Sequence, residues 1–330
     1  MQYKSIKKEE WDNALEKLLL SYAIFASIPN DSGQDYEELR PVDISKIIYN
    51  KPKPATSLKS FFLPVKENVT SEKAVKERIL IGIPNCDIEG LSIIDEIYLD
   101  KDFPDINYRE RRENTILIST DCIGIQEHCH CLTYDIKPFA TSTADLALIS
   151  LNGTMIIRII TGKGEGFVST VFPAAMPLKD EEILSAVEKE HHATETLLSS
   201  ANKGLPDYKK TGILVSGAST DLWKRHSARC VSCGACTTIC PTCTCFLLID
   251  KPGFEKVKQM DACQYPGFER VAGGEDGLFV LQNRFRNRYM CKYVWKPGKF
   301  KSTACTGCGR CIEACIGKIN KNEIFMELAK

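Results

Sequence analysis

Two runs of cysteine share one spacing: Cys230-x-x-Cys233-x-x-Cys236-x-x-x-Cys240, followed by Pro241, and Cys305-x-x-Cys308-x-x-Cys311-x-x-x-Cys315. Three thiolates separated by two residues can wrap one face of an iron–sulfur cubane on a tight loop. The fourth, expected to open a helix, lies too far round to complete that site and ligates the other cluster. The spacing therefore predicts one [4Fe-4S] cluster on Cys230, Cys233, Cys236 and Cys315, and a second on Cys305, Cys308, Cys311 and Cys240. Zinc is the competing chemistry for Cys-x-x-Cys pairs. It takes four ligands, typically from two separated pairs, which leaves the third cysteine of each run without a use. Gly234 and Gly309 follow the second cysteine of each run, where a missing Cβ lets backbone N–H groups approach sulfur. Ile316 stands after Cys315, where the bacterial ferredoxin pattern has proline.

The chain has 16 cysteines, so the two quartets leave as many again unassigned. Cys86 and Cys122 each follow an expected strand, which places both at one edge of a sheet with Cys129-His130-Cys131 on the next loop. A third iron–sulfur cluster on Cys86, Cys122, Cys129 and Cys131 is the expectation, with scattered buried thiols and zinc as alternatives. His130 reads as a neighbour, not a ligand. Cys243, Cys245 and Cys263 follow the first quartet closely and read as its surrounding shell, with ligation of an extra cluster as the alternative; Cys291 has no assigned partner. Arg284, Arg286 and Arg288 interleave with aromatics, either as a solvated face or as a docking or cluster-tuning surface beside the second quartet. Gly162-Lys163-Gly164-Glu165-Gly166 lacks the spacing of a phosphate loop and reads as a turn.

These cysteines need a scaffold, and the 330 residues suffice for two domains with buried cores. Trp11, Leu15, Leu18 and Tyr22 recur at helical spacing, so the chain is expected to open with an amphipathic helix. Asp31 to Pro54 is polar and loop-like. Arg78 to Pro84 and Thr115 to Ser119 read as buried strands, with Leu91 to Tyr98 helical between them. Ala144 to Ser150 and Met155 to Thr161 flank Asn152-Gly153, a hairpin signal, and strands are expected to continue to about Ser169. Lys179 to Ser199 is a second amphipathic helix. A linker-like stretch follows it, and cysteine density jumps soon after. The expected fold is α+β: a mixed α/β domain over 1–210 and a helical, ferredoxin-like dicluster domain over 211–330 with a long insertion between its two quartets.

Lys+Arg and Asp+Glu both number 43, for a formal net charge of 0, which disfavours nucleic acid or an anionic membrane as partner. The N-terminal ten residues hold no apolar core for a signal peptide, and no stretch reaches the ~20 apolar residues that span a bilayer. A cytoplasmic protein with reduced thiols is the expectation, and there clustered cysteines mean metal or redox chemistry.

Residues 230–246, Cys-Val-Ser-Cys-Gly-Ala-Cys-Thr-Thr-Ile-Cys-Pro-Thr-Cys-Thr-Cys-Phe, closely resemble the family of iron–sulfur electron-transfer subunits of anaerobic sulfite reductase, which includes the β subunit of cytoplasmic sulfhydrogenases. Asn85-Cys86-Asp87, Arg109 to Asn114, Asp121-Cys122 with Cys129-His130-Cys131, Ala272-Gly273-Gly274 and Arg284-Phe285-Arg286 extend the resemblance along nearly the whole chain. The resemblance implies an iron–sulfur wire between a flavin subunit of the ferredoxin-reductase type, which oxidises NAD(P)H through FAD, and a catalytic subunit. Siroheme sulfite reductase is the expected complex, and a nickel–iron sulfhydrogenase the alternative; an enzyme whose own cluster acts on a disulfide or sulfur substrate is the second. The resemblance also implies a third cluster on the four N-terminal cysteines.

Overall fold

β-Branched and aliphatic runs in the first half of the chain form the buried centre of one large sheet. The computed structural model describes residues 2–31, 33–70, 75–300 and 304–330. Its first part runs β1 (Gln2–Lys7), α1 (Lys8–Leu18), β2 (Ala23–Asn30), β3 (Gly33–Glu38), β4 (Lys66–Asn68), β5 (Arg78–Ile83), α2 (Asn85–Tyr98), α3 (Ile106–Glu113), β6 (Thr115–Thr120), β7 (Leu146–Leu151), β8 (Thr154–Ile159), α4 (Gly162–Val171), β9 (Met176–Pro177) and α5 (Glu181–Ala201). The second part runs α6 (Tyr208–Gly217), α7 (Thr220–Ser227), α8 (Ala235–Thr238), β10 (Phe246–Lys251), β11 (Glu255–Met260), α9 (Leu281–Met290), α10 (Lys296–Phe300), α11 (Arg310–Glu313) and α12 (Lys321–Leu328).

Eight strands form one sheet in the order β3-β2-β5-β6-β7-β8-β1-β9. The β2–β5, β5–β6 and β6–β7 pairs are parallel, and parallel strands must be covered on both faces. The strand period of two does this. It sends Ile79, Ile81, Ile118, Leu146 and Leu148 to the side packed by Trp11 and Leu15 of α1 and Phe167 of α4. Leu80, Leu117 and Ala147 go to the other side, against Ile88, Leu91 and Ile94 of α2 and Tyr108 of α3. The molecule is therefore mixed α/β, with a sheet in its N-terminal part, as expected.

Local differences have physical reasons. A strand, β1, precedes the opening helix because its antiparallel pairing with β8 supplies a partner that local pattern cannot reveal. The polar 31–54 stretch holds β3, an edge strand paired with β2, and a 3-10 turn at Pro41–Lys46; Ser32 lies outside the described residues. The Asn152-Gly153 hairpin forms, with both residues at positive φ. Strands do not continue to Ser169, however, and the glycine-rich 162–166 stretch is no free turn. It is the first turn of α4, capped by the Thr161 hydroxyl, which accepts from the Gly164 N–H. A Cβ on Gly164 would lie 2.2 Å from the Asp145 carbonyl oxygen, so glycine lets this helix press against the sheet despite its poor helix propensity.

In the second part, Trp223 of α7, Phe285 and Tyr289 of α9, Tyr293 and Phe325 of α12 pack as one aromatic core. Tyr134, Ile136 and Leu198 from the first part join it. The stretch between the quartets is structured: β10 and β11 form a hairpin, β11 pairs with β4, and α9 leads through a π-turn at Cys291–Trp295 into α10. No helix among the described residues is long and apolar enough to cross a membrane.

Candidate metal centres

Each cysteine run is shaped by a glycine that starts a single helical turn. Gly234, at φ +71°, caps α8, and Gly309, at φ +79°, caps α11. The three-residue gap before the fourth cysteine spans that turn. Cys240 and Cys315 therefore follow a helix end, and the expectation that they open a helix is corrected. Cys230, Cys233, Cys236 and Cys315 ring one cavity of about 40 Å³, whose wall also includes Cys311, Phe285, Arg288 and Tyr289. Cys315 of the second run thus lies with three cysteines of the first.

Of the second set, Cys240, Cys305 and Cys308 are buried. Cys308 lies within electrostatic reach of both Cys240 and Cys311. Two of these thiols are primed to ionise. The neighbouring Cys243 thiol donates to Cys240 and, with Lys292, Arg288 and Lys59, holds it well below its ordinary value despite burial. Burial would raise Cys305, but Lys321, His130 and Lys292 together bring it well below the usual thiol range. Burial pushes Cys308 up to about 12 and Cys236 up to about 11. A metal taking these two must displace their protons.

The surroundings fit anionic clusters. Lys59, Arg288, Lys292 and Lys321 are all buried, and among the described residues none reaches a carboxylate. Lys59 Nζ donates to the Cys243 carbonyl at 2.9 Å. Lys292 Nζ donates to Thr242 Oγ1 and the Ala304 carbonyl, both at 2.6 Å. Arg288 Nη2 donates to the Cys236 carbonyl at 3.1 Å, and its Nε has no partner. Cations removed from water without counter-charge are costly, and thiolate-bound iron–sulfur clusters supply that negative charge.

The four N-terminal cysteines converge as well. Cys86, Cys122, Cys129 and Cys131 line a second cavity of about 30 Å³, together with Lys53, Gly307 and Cys308. Cys86 is in the first turn of α2 rather than on a free strand end, because Pro84 stops β5 and the helix starts at once. Cys122 lies just beyond β6, its N–H donating to the Pro138 carbonyl. Lys53 Nζ reaches Gln126 Oε1 and Glu313 Oε1, both at 2.7 Å, and approaches Cys129 Sγ at 3.8 Å. His130 does not line this cavity: its Nδ1–H donates to the His128 carbonyl, and its Nε2 accepts from Lys321 Nζ at 2.7 Å.

The cysteine loop of the first part presses directly on the second quartet. The His130 N–H donates to the Gly307 carbonyl at 2.9 Å. A Cβ on Gly307, which has φ +66°, would sit 2.4 Å from the His130 carbonyl oxygen. Gly307→Ala is therefore expected to cost about 1–3 kcal/mol through overpacking, seen as a lower urea midpoint; an unchanged midpoint would mean that this contact relaxes freely.

Sequence reasoning missed the buried lysines and one ion pair, while for the three arginines it offered a docking or cluster-tuning surface as one of two readings. Arg284 and Arg288 are buried and only Arg286 is exposed, so the alternation with aromatics is no solvated face. Arg288 stands against the first cavity. Arg310, between Cys308 and Cys311, forms a bidentate pair with Asp87, next to Cys86, at 2.5 and 2.9 Å. Charged residues inside or beside cysteine motifs were the available signal for this pair.

Residues 229–319 match the family described as 4Fe-4S dicluster domain. The chain carries a 4Fe-4S dicluster domain. Over nearly its whole length it is also similar to sulfhydrogenase 2 subunit beta of Pyrococcus furiosus, with 28% identity over 341 residues that cover 99% of this chain and 98% of that protein. Both findings support the family that the sequence resembles, and identify an iron–sulfur electron-transfer subunit. The dicluster domain includes both quartets, the buried cations Arg288 and Lys292, and the hairpin between them.

Proposed function

We propose that this chain relays electrons through three [4Fe-4S] clusters in the order N-terminal set, second quartet, first quartet. The observation that carries this is shared walls. Cys308 of the second quartet lines the cavity of the N-terminal cysteines, and Cys311 of the same quartet lines the cavity of the first. Ligands that touch the site on either side suit a linear wire. The ligand sets are Cys86, Cys122, Cys129 and Cys131; Cys240, Cys305, Cys308 and Cys311; and Cys230, Cys233, Cys236 and Cys315. Bound clusters would supply one-electron redox chemistry, while this chain supplies thiolates, buried counter-cations and a dry aromatic wall. The split into units at 1–210 and 211–330 belongs to the same proposal, although segments from both share the aromatic core and the β4–β11 pairing.

The relative matched along almost its entire length is a sulfhydrogenase subunit. It favours the alternative of the sequence reading, the β subunit of a nickel–iron sulfhydrogenase working beside an NAD(P)H-oxidising FAD subunit, over the electron-transfer subunit of a siroheme sulfite reductase. Residues 230–246 keep sulfite reductase as the second reading. The test is anaerobic isolation of the complex through a tag on this chain. Hydrogen gas is expected to reduce the clusters of that complex and so bring up their EPR signals. Signals indifferent to hydrogen but reoxidised by sulfite would reverse the preference, and isolation of the chain without redox partners would overturn both.

A further inference from the structure

The first cysteine set lies nearest the surface. Cys230, Cys233, Cys236 and Cys315 are all half-buried, whereas Cys240, Cys305 and Cys308 of the second set are buried. Two loops frame the cavity of the first set, one around Val231 and Gly234 and the other around Gly317 and Ile319. They meet backbone to backbone, since a Cβ on Gly317 would collide with the Arg229 carbonyl oxygen. Tyr265 flanks the first loop, its ring 2.6 Å from where a Cβ on Gly234 would stand.

Apolar side chains on this rim stay in water. Val231 and Ile316 are 61% and 66% exposed, and Tyr265 is 39% exposed. Ile316 stands where the ferredoxin pattern has proline, so the departure in sequence supplies one of the three. Arg229 and Lys318, on the two loops that meet, are exposed as well. Among the described residues neither cation is in an ion pair: in the neighbouring stretches Glu313 pairs with Lys53, Glu327 with Arg225 and His226, and Glu323 accepts from Asn320 at 3.5 Å. The rim thus combines a small apolar centre with two uncompensated positive charges, directly over half-buried cysteines.

We propose that this rim is the docking surface for a small acidic electron-carrier protein, whose own redox centre lies behind a carboxylate-rich face. The proposal rests on the electron-carrier reading above. Charge complementarity selects the partner: carboxylates facing Arg229 and Lys318 steer the encounter, while Val231, Ile316 and Tyr265 exclude water from its centre. A second copy of this chain would bring like charges together there. A few exposed side chains suit a brief electron-transfer contact, which belongs to the smallest class of interface, better than a permanent one. One electron passes in each encounter. The carrier is oxidised by one electron as this chain is reduced by one, and no bond forms or breaks.

The test mixes the anaerobically isolated complex with a reduced plant-type [2Fe-2S] ferredoxin, an acidic one-electron carrier, and follows ferredoxin absorbance by stopped flow. The bimolecular rate is expected to fall about tenfold between low salt and about 0.3 M salt, and about tenfold at low salt in Arg229→Glu/Lys318→Glu. The matched reversal Lys17→Glu/Lys101→Glu, at exposed lysines of the first part, is expected to keep most of the rate. With oxidised cytochrome c, a basic carrier, the dithionite-reduced wild-type complex is expected to show the opposite salt dependence. Equal losses in the two double variants overturn the docking surface, because net charge alone would then explain them. So does a ferredoxin rate indifferent to salt, or one seen with the full-length chain alone and lost in the complex, where a permanent subunit would cover the rim. EPR of the same samples separates the two readings. Clusters that dithionite reduces but ferredoxin does not reach through this rim remove only the docking surface, whereas wild-type protein without reducible clusters removes the electron-carrier reading beneath it.

Discussion

Anaerobically purified protein is expected to hold about twelve irons per chain, four for each cubane, and Cys129→Ala about eight. Cys129 shares its cavity with Cys86, Cys122 and Cys131, and its removal leaves three thiolates for one cluster. The loss should fall on that cluster alone, because Cys129 is absent from the wall of the first-quartet cavity. Cys233→Ser and Cys308→Ser are each expected to lose about four irons from a different quartet. Cys308→Ser carries an additional consequence. Its side chain lies in the wall of the N-terminal cavity, so electron exchange between the remaining clusters should slow even where iron is kept. Twelve irons retained in Cys129→Ala would return Cys86, Cys122, Cys129 and Cys131 to structural thiols. Eight irons in the wild type would do the same and confine redox chemistry to residues 230–315.

The quartets were legible because their geometry is local: a cubane loop is fixed by spacing within a dozen residues, and a repeat of that spacing removes ambiguity. The N-terminal set was legible only as a grouping. Its cysteines come from a helix start, a strand exit and a loop, and the parallel sheet that brings these ends together is a tertiary fact. The central strands announced themselves by β-branched runs, but β1 and the edge strand β3 did not, since their partners fix them more than their composition does. The helix at Gly162–Val171 was hidden by three glycines, one of which exists to let the backbone approach Asp145. The least legible feature was the cation shell. Lys59, Lys292 and Lys321 resemble any surface lysine in sequence, and Arg288 any member of a charged helix face. They are buried because the interior around the cysteine sets can hold negative charge, which no count of residues records.

Asp87→Ala is expected to be the most damaging single charge removal in the chain, at about 3–5 kcal/mol, because it leaves Arg310 buried and unpaired. The Arg310 and Asp87 side chains are 1% and 0% exposed. Arg310 also donates through Nε to the Pro54 carbonyl at 3.0 Å, while Asp87 Oδ2 accepts from the Leu58 N–H at 3.2 Å. Water has no route to compensate a lost partner there. Urea unfolding followed by cluster absorbance should show a large midpoint fall, and a midpoint within error of wild type would sink the argument. The double variant Asp87→Leu/Arg310→Met removes both charges and should recover much of the loss, since apolar replacement of a buried pair is often neutral or better. That variant separates stability from electron transfer. Arg310 lies within electrostatic reach of Cys308 and Cys86, proposed ligands of adjacent clusters, and a cation there favours the reduced, more negative state of each. Asp87 opposes that effect, more strongly at Cys86 and less strongly at Cys308. Arg310→Met alone should therefore lower the EPR midpoint potentials of both clusters relative to the double variant, with the first-quartet signal moving least. Equal shifts in all three signals would mean a global disturbance, and no shift would leave the pair a purely structural clasp between the α2 start and the second quartet.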